Sequence, residues 1–205
     1  ESPVEPRSEN YLKPLQRLNA NWVALVPYVF IDAKTGGISY PHPQNWWGDA
    51  GAGLYRSIAL AKAENLKICL KPHFWLAQEK RWAGELDLSE KEWQRWEKEY
   101  RQLLLSFARL ADSLAIEMLC VGTELKSAVA ERPLFWQNLI SEIRQIYQGQ
   151  LIYAANWDNY QAVPFWAQLD LIGVNAYFPL RQQKTPTPEA LAYSWNIENY
   201  ALARF

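Results

Sequence analysis

The sequence predicts an α/β fold of the parallel (β/α) barrel type, and three observations carry that prediction. Short β-rich segments alternate with longer helical ones. The β-rich segments are apolar almost throughout, as strands covered on both faces are. Each of them ends, on its C-terminal side, in polar and aromatic groups. The third observation separates a barrel from a doubly wound sheet, because a barrel draws functional groups from the ends of several successive strands and a doubly wound sheet gathers them at one switch point. No Gly-rich phosphate fingerprint follows any strand, which counts against a nucleotide-binding sheet.

In chain order, residues 11–20 read as a helix and 21–30 (NWVALVPYVF) as the first strand, with Tyr28 near its end. A polar and aromatic loop covers 31–53 and contains the pair Trp46 and Trp47, either a sugar platform or an anchor for the loop. Helix 54–65 leads to strand 66–75 (LKICLKPHFW), whose end carries Lys71, His73 and Trp75. Gly and Trp in AQEKRWAGELD mark a loop. Ser89 with Glu92 three residues on has the form of a capping box and opens a long amphipathic helix over 89–114. Strand 116–122 is followed by Glu124, helix 132–148 by strand 151–157 with Asn156, Trp157 and Asp158 at its end. A short helix at 160–168 precedes strand 169–178, which carries Asn175 and Tyr177, and 179–195 is loop and helix start. That makes five strands, without internal repeat or linker, in a single domain over residues 1–205.

Composition narrows the partner. With Lys+Arg 21 against Asp+Glu 22 there is no broad basic surface for nucleic-acid phosphates or anionic lipid, so a neutral ligand is favoured. No apolar run reaches membrane-spanning length, and the N-terminus lacks the charged-then-apolar order of a signal peptide. Compartment and oligomeric state stay open. Cys69 and Cys120 fall in apolar runs and read as buried thiols, neither a disulfide nor a metal cluster. His42 and His73 are the only histidines and no Cys–His spacing surrounds them, so neither a metal nor another cofactor is expected. Eleven Trp and eleven Tyr supply rigid faces that pack on the C–H faces of sugars as readily as in a core.

The segments NANWVALVPY, LKPHFW, VGTELKS, YAANWD and DLIGVNAYFPL, in that order and spacing, resemble glycoside hydrolase family 113, a clan A (β/α)8 family that contains β-mannanases. The resemblance covers nearly the whole chain. It implies a retaining hydrolase of β-linked mannan-type carbohydrate, with an acid/base at the end of the fourth barrel strand and a nucleophile at the end of the seventh. VGTEL is the fourth-strand match, so the acid/base role falls on Glu124. The chain then reads as barrel strands two to six, the nucleophile Glu lies outside it, and these 205 residues alone are expected to be inactive. A barrel missing strands leaves open edges.

Site expectations follow from that placement. Lys71 and His73 share an alternation parity and face the mouth, either to bind sugar hydroxyls or the nucleophile or, for Lys71, to pair with a structural carboxylate. Tyr28, Trp75 and Asn156 are further substrate-binding candidates. A general acid protonated near neutral pH needs an aromatic, poorly solvated wall, for which Trp157 is the candidate. Asn175 and Tyr177 share a parity, and in clan A a sixth-strand aromatic commonly contacts the nucleophile. Clan members usually place Asn before the acid, whereas this chain has Thr123. Asp158 is a minor nucleophile candidate, Asp170 belongs at the barrel bottom, and Glu189 and Glu198 are surface charges. Two other readings remain: a carbohydrate-binding barrel without catalysis, and a nucleotide- or sugar-phosphate-binding α/β protein.

Overall fold

The computed structural model describes residues 12, 14–15, 17–43, 45, 50–77, 81–180 and 185–205. Trp46 and Trp47 lie outside them, as does part of the predicted helix at 11–20. The strands are β1 (Trp22–Leu25), β2 (Tyr28–Asp32), β3 (Ile38–Ser39), β4 (Lys67–Leu70), β5 (His73–Ala77), β6 (Met118–Thr123), β7 (Gln150–Asn156) and β8 (Leu171–Asn175). The helices are α1 (Gly51–Ala63), α2 (Glu90–Ser113), α3 (Lys126–Glu131), α4 (Pro133–Ile146) and α5 (Pro188–Ala203). Among the described residues β1, β4, β6, β7 and β8 form one parallel sheet in that spatial order, which is also their order in the chain. Strand order without reversal leaves no switch point, and the fold is an incomplete (β/α)8 barrel.

Two predicted strands are each divided in the structure, 21–30 at Pro27 and 66–75 at Pro72, because proline brings no N–H to a ladder. Pairing continues across the breaks through Lys71 N–H to the Leu25 carbonyl at 2.8 Å and His73 N–H to the Pro27 carbonyl at 2.9 Å. The upper halves, β2 and β5, pair in parallel with Tyr28 opposite His73, and β2 turns back onto β3, inside the segment predicted as loop. The predicted short helix at 160–168 is two 3₁₀ turns, Tyr160–Ala162 and Trp166–Gln168, separated by Pro164. Helix α3 was not foreseen; six residues are too few to show a period.

The entries into three strands share one device. At Asn65 and Ala115 the chain adopts left-handed φ of 55° and 46°, and the next N–H reaches back to the helix, Leu66 to Ala61 and Ile116 to Ala111. Asn19, at φ 55°, is followed in the same way by Ala20 N–H to the Leu15 carbonyl. This is the Schellman geometry, and it reverses the chain from helix into strand within two or three residues.

Helix α2 begins at the predicted capping box, with both reciprocal bonds between Ser89 and Glu92 present. Its buried face runs Trp93, Trp96, Tyr100, Leu104, Phe107 and Ala111, the spacing that keeps one stripe on the sheet. Facing it, α4 contributes Trp136, and β7 contributes Tyr153. The rings meet mostly edge to face: Trp136 lies 5.3 Å from Tyr100 at 72° and 5.6 Å from Tyr153 at 73°. Gly122 lets β6 lie flat on this layer, since a Cβ there would sit 2.9 Å from both Trp136 and Tyr153 ring atoms. Cys69 and Cys120 are free thiols, and burial pushes Cys69 up to about 12. At the opposite end of the sheet Asp170 accepts the Leu151 N–H at 2.7 Å and pairs with Arg144, a structural role at the barrel bottom. No helix among the described residues is long and apolar enough to cross a membrane.

Candidate active site

Glu124 follows the last residue of β6 and precedes α3, and its backbone is left-handed at φ 55°. For a residue with a Cβ this conformation costs on the order of 1 kcal/mol, so surrounding bonds must hold it. They do: Glu124 N–H donates to the Ala154 carbonyl on β7 at 2.8 Å, Leu125 N–H to the buried Tyr153 hydroxyl at 2.9 Å, and Lys126 N–H to the Glu124 carbonyl at 3.0 Å. The β6–β7 register shifts between Cys120 and Thr123, a bulge that re-aims the end of the strand. Thr123 is buried, and its hydroxyl donates to the Pro72 carbonyl at 3.1 Å, a group the proline break leaves outside the ladder.

The Glu124 carboxylate is turned onto neutral donors. Asn175 Nδ2 donates to Oε1 at 2.7 Å and Trp82 Nε1 donates to Oε2 at 3.0 Å. Lys71 Nζ donates to Asn175 Oδ1 at 3.2 Å, which fixes which way the amide faces: its oxygen meets the ammonium and its NH₂ meets the carboxylate. Sequence-predicted Glu124, Asn175 and Lys71 thus form one chain of hydrogen bonds drawn from three strand ends.

On the adjoining small sheet Tyr28, His73 and Trp75 form an aromatic cluster, with His73 5.9 Å from Tyr28 at 86° and 5.7 Å from Trp75 at 63°. Trp75 is half exposed. Burial lowers the His73 pKa below its ordinary value; the Glu124 charge opposes this and Lys71 reinforces it. His73 is therefore neutral near pH 7. Because the unfolded chain takes up this proton first, the linked stability is present above about pH 6.5 and is lost as pH falls through it. An NMR titration of the His73 ring should give a midpoint below about 6.5, and one above it would overturn the burial argument.

Of the remaining predicted residues, Asn156 reaches this centre through strand pairing, whereas the ring on the Glu124 carboxylate is Trp82 and not the predicted Trp157. Asn156 pairs in register with Asn175, and its amide donates to Asp158 at 3.0 Å. Asp158 is ion-paired with Lys126 at 2.7 Å, and hydrogen bonding to that ammonium holds its carboxyl below the usual range. Trp157 meets Phe178 edge-on at 6.1 Å, and the Tyr177 ring is 78% exposed. Sequence reasoning missed Trp82, which lay inside a segment marked only as loop. Its signal was position: the loop leaves the C-terminal end of β5, on the face where the other candidates gather.

Three comparisons bear on this arrangement. The family model described as Glycoside Hydrolase Family 113 matches residues 4–199. The GH113 β-mannanase AaManA from Alicyclobacillus acidocaldarius, solved in complex with ManMIm, is similar with 26% identity and a TM-score of 0.77 over 94% of this chain and 62% of that one. Two structures of GH113 β-1,4-mannanase, one a complex, are similar at 20% and 21% identity. They have TM-scores of 0.78 and 0.79 over 98% and 97% of this chain. The chain spans 62–64% of the length of these three structures. No curated protein matches it.

Proposed function

Since the chain belongs to glycoside hydrolase family 113, we propose that it carries the acid/base half of a retaining site that hydrolyses β-linked mannan-type chains. The observation that supports this most is Glu124: a carboxylate in a left-handed backbone at a strand end, held by an N–H donor on each oxygen. Unlike Asn19, Asn65 and Ala115, which are left-handed at helix ends, Glu124 is left-handed directly after a strand, and strain enforced outside a helix cap clusters at functional positions.

In this reading Glu124 protonates the glycosidic oxygen as the bond to the anomeric carbon breaks, and a second carboxylate attacks that carbon. Glu124, now ionised, then takes a proton from the water that releases the sugar. The two carboxyls must stand about 5–5.5 Å apart for this chemistry. Asp158 is a poor second group because Lys126 occupies it. The nucleophile is instead assigned to a barrel strand outside these five. We assign Tyr28, His73, Trp75, Asn156 and Trp157 to substrate binding and Tyr177 to contact with the nucleophile. Lys71 acts on Glu124 through Asn175.

The test compares the full-length protein with residues 1–205 alone, on mannan and on an activated aryl mannoside, with the first-formed anomer read by NMR. Turnover with a β-anomer is expected from the full-length protein and none from the 205-residue piece. Turnover by the piece would overturn the placement of the nucleophile, and a first-formed α-anomer would overturn retention. Mannan binding without hydrolysis by the full-length protein would make it a binding barrel.

A further inference from the structure

We infer that Trp82, seated on Gly84, is a positioning residue for Glu124, holding one carboxylate oxygen so that the other stays aligned through Asn175. The inference rests on the acid/base reading of Glu124. Indole nitrogen can only donate, so the 3.0 Å contact from Nε1 to Oε2 has one polarity. Asn175 likewise presents its NH₂, because Lys71 holds its oxygen. Each carboxylate oxygen thereby has its own donor, one from β8 and one from the loop after β5.

That loop is built to hold the indole still. Gly84 lies in the 3₁₀ turn Ala83–Glu85, and a Cβ there would fall 2.4 and 2.5 Å from Cζ2 and Cη2 of Trp82 and 2.6 Å from the Glu124 carbonyl oxygen. The missing side chain is therefore the space in which Trp82 and the Glu124 backbone meet. Ser127 Oγ donates to the Gly84 carbonyl at 3.0 Å, and Glu85 N–H to that of Trp82 at 3.0 Å, tying the turn to α3 and to itself. Ala83, Gly84 and Leu86 are buried. The titratable groups around the carboxylate are Lys71, His73 and buried Tyr153.

Two measurements on the full-length protein test this. In the first, the Trp82 indole N–H resonance, identified by its loss in Trp82→Phe, is followed in Glu124→Gln and Gly84→Ala. It should move upfield in both, as an N–H does when it loses a charged acceptor; a resonance indifferent to both changes would overturn the contact. In the second, Trp82→Phe should lower kcat on mannan by about 10- to 100-fold with little change in KM, the order of loss that misplacing a catalytic group brings. The loss should be much smaller on an aryl mannoside whose leaving group needs no proton, and the alkaline limb of the mannan pH profile should move. A Trp82→Phe enzyme equal to wild type on mannan, or impaired equally on both substrates, would overturn the positioning role. If the resonance responds but Glu124→Gln still cleaves mannan, it is the acid/base reading that fails.

Discussion

Replacing Glu124 by Ala in the full-length protein is expected to cripple cleavage of mannan by about 10²–10⁴-fold while sparing the first step on an activated aryl mannoside. The asymmetry follows from what a general acid supplies: a sugar alkoxide leaves only with a proton, whereas an aryl oxide leaves unaided. On the proposed retaining mechanism the second step uses Glu124 as a base for water, so the glycosyl-enzyme should accumulate with the activated substrate. Azide, an anion that needs no base, should restore turnover and give a β-configured glycosyl azide. An α-configured azide would mean that the nucleophile had been removed instead, and equal losses on both substrates without rescue would leave Glu124 a structural role. Structure adds a control. Because Glu124 has a left-handed φ, Glu124→Gly relieves backbone strain and Glu124→Ala does not, so the Gly variant should share the kinetic defect without being the less stable of the two.

The barrel was legible because its signals are local and repeated. Apolar strands at regular intervals, helix starts such as Ser89 with Glu92, and polar groups after each strand all survive in a single sequence. What the pattern could not show depends on geometry between distant residues. The strands expected over 21–30 and 66–75 run through Pro27 and Pro72, yet the chain breaks there, which detaches the upper halves into a second sheet and frees the Pro72 carbonyl for Thr123. Alternation placed Lys71 on the mouth side, but its partner Asn175 is 104 residues away and no spacing predicts it. Trp82 was hidden for the same reason. Its chemistry needs Gly84 for room and Glu124 as acceptor, and only the folded loop brings the three together. The tryptophan content also divided: Trp93, Trp96 and Trp136 belong to the core, and Trp75 and Trp82 to the mouth.

Trp136→Ala should be the most destabilising single change in the core, costing about 3–5 kcal/mol, a large part of the roughly 5–15 kcal/mol that holds a domain together. Trp136 is fully buried, and its indole N–H donates to the Ala128 carbonyl at 3.1 Å, tying α4 to α3. Its ring also touches Trp96, Tyr100, Phe135, Tyr153 and Phe165, so truncation leaves a cavity bounded by aromatic rings that cannot collapse inward without losing their own contacts. Gly122 offers no side chain to fill it. Urea denaturation should show the midpoint falling at nearly constant slope, while Leu134→Ala, on the same helix but 72% exposed, stays within about 0.5 kcal/mol of wild type. A loss at Trp136 below about 1 kcal/mol would overturn the view that this ring layer is the rigid floor of the site. The loss also reaches the chemistry. Tyr153 packs edge-on against Trp136 and holds the Leu125 N–H, one residue from Glu124. Where Trp136→Ala still folds at low temperature, its residual activity on mannan should therefore fall further than its activity on the aryl substrate, the signature of a loosened acid rather than of lost protein.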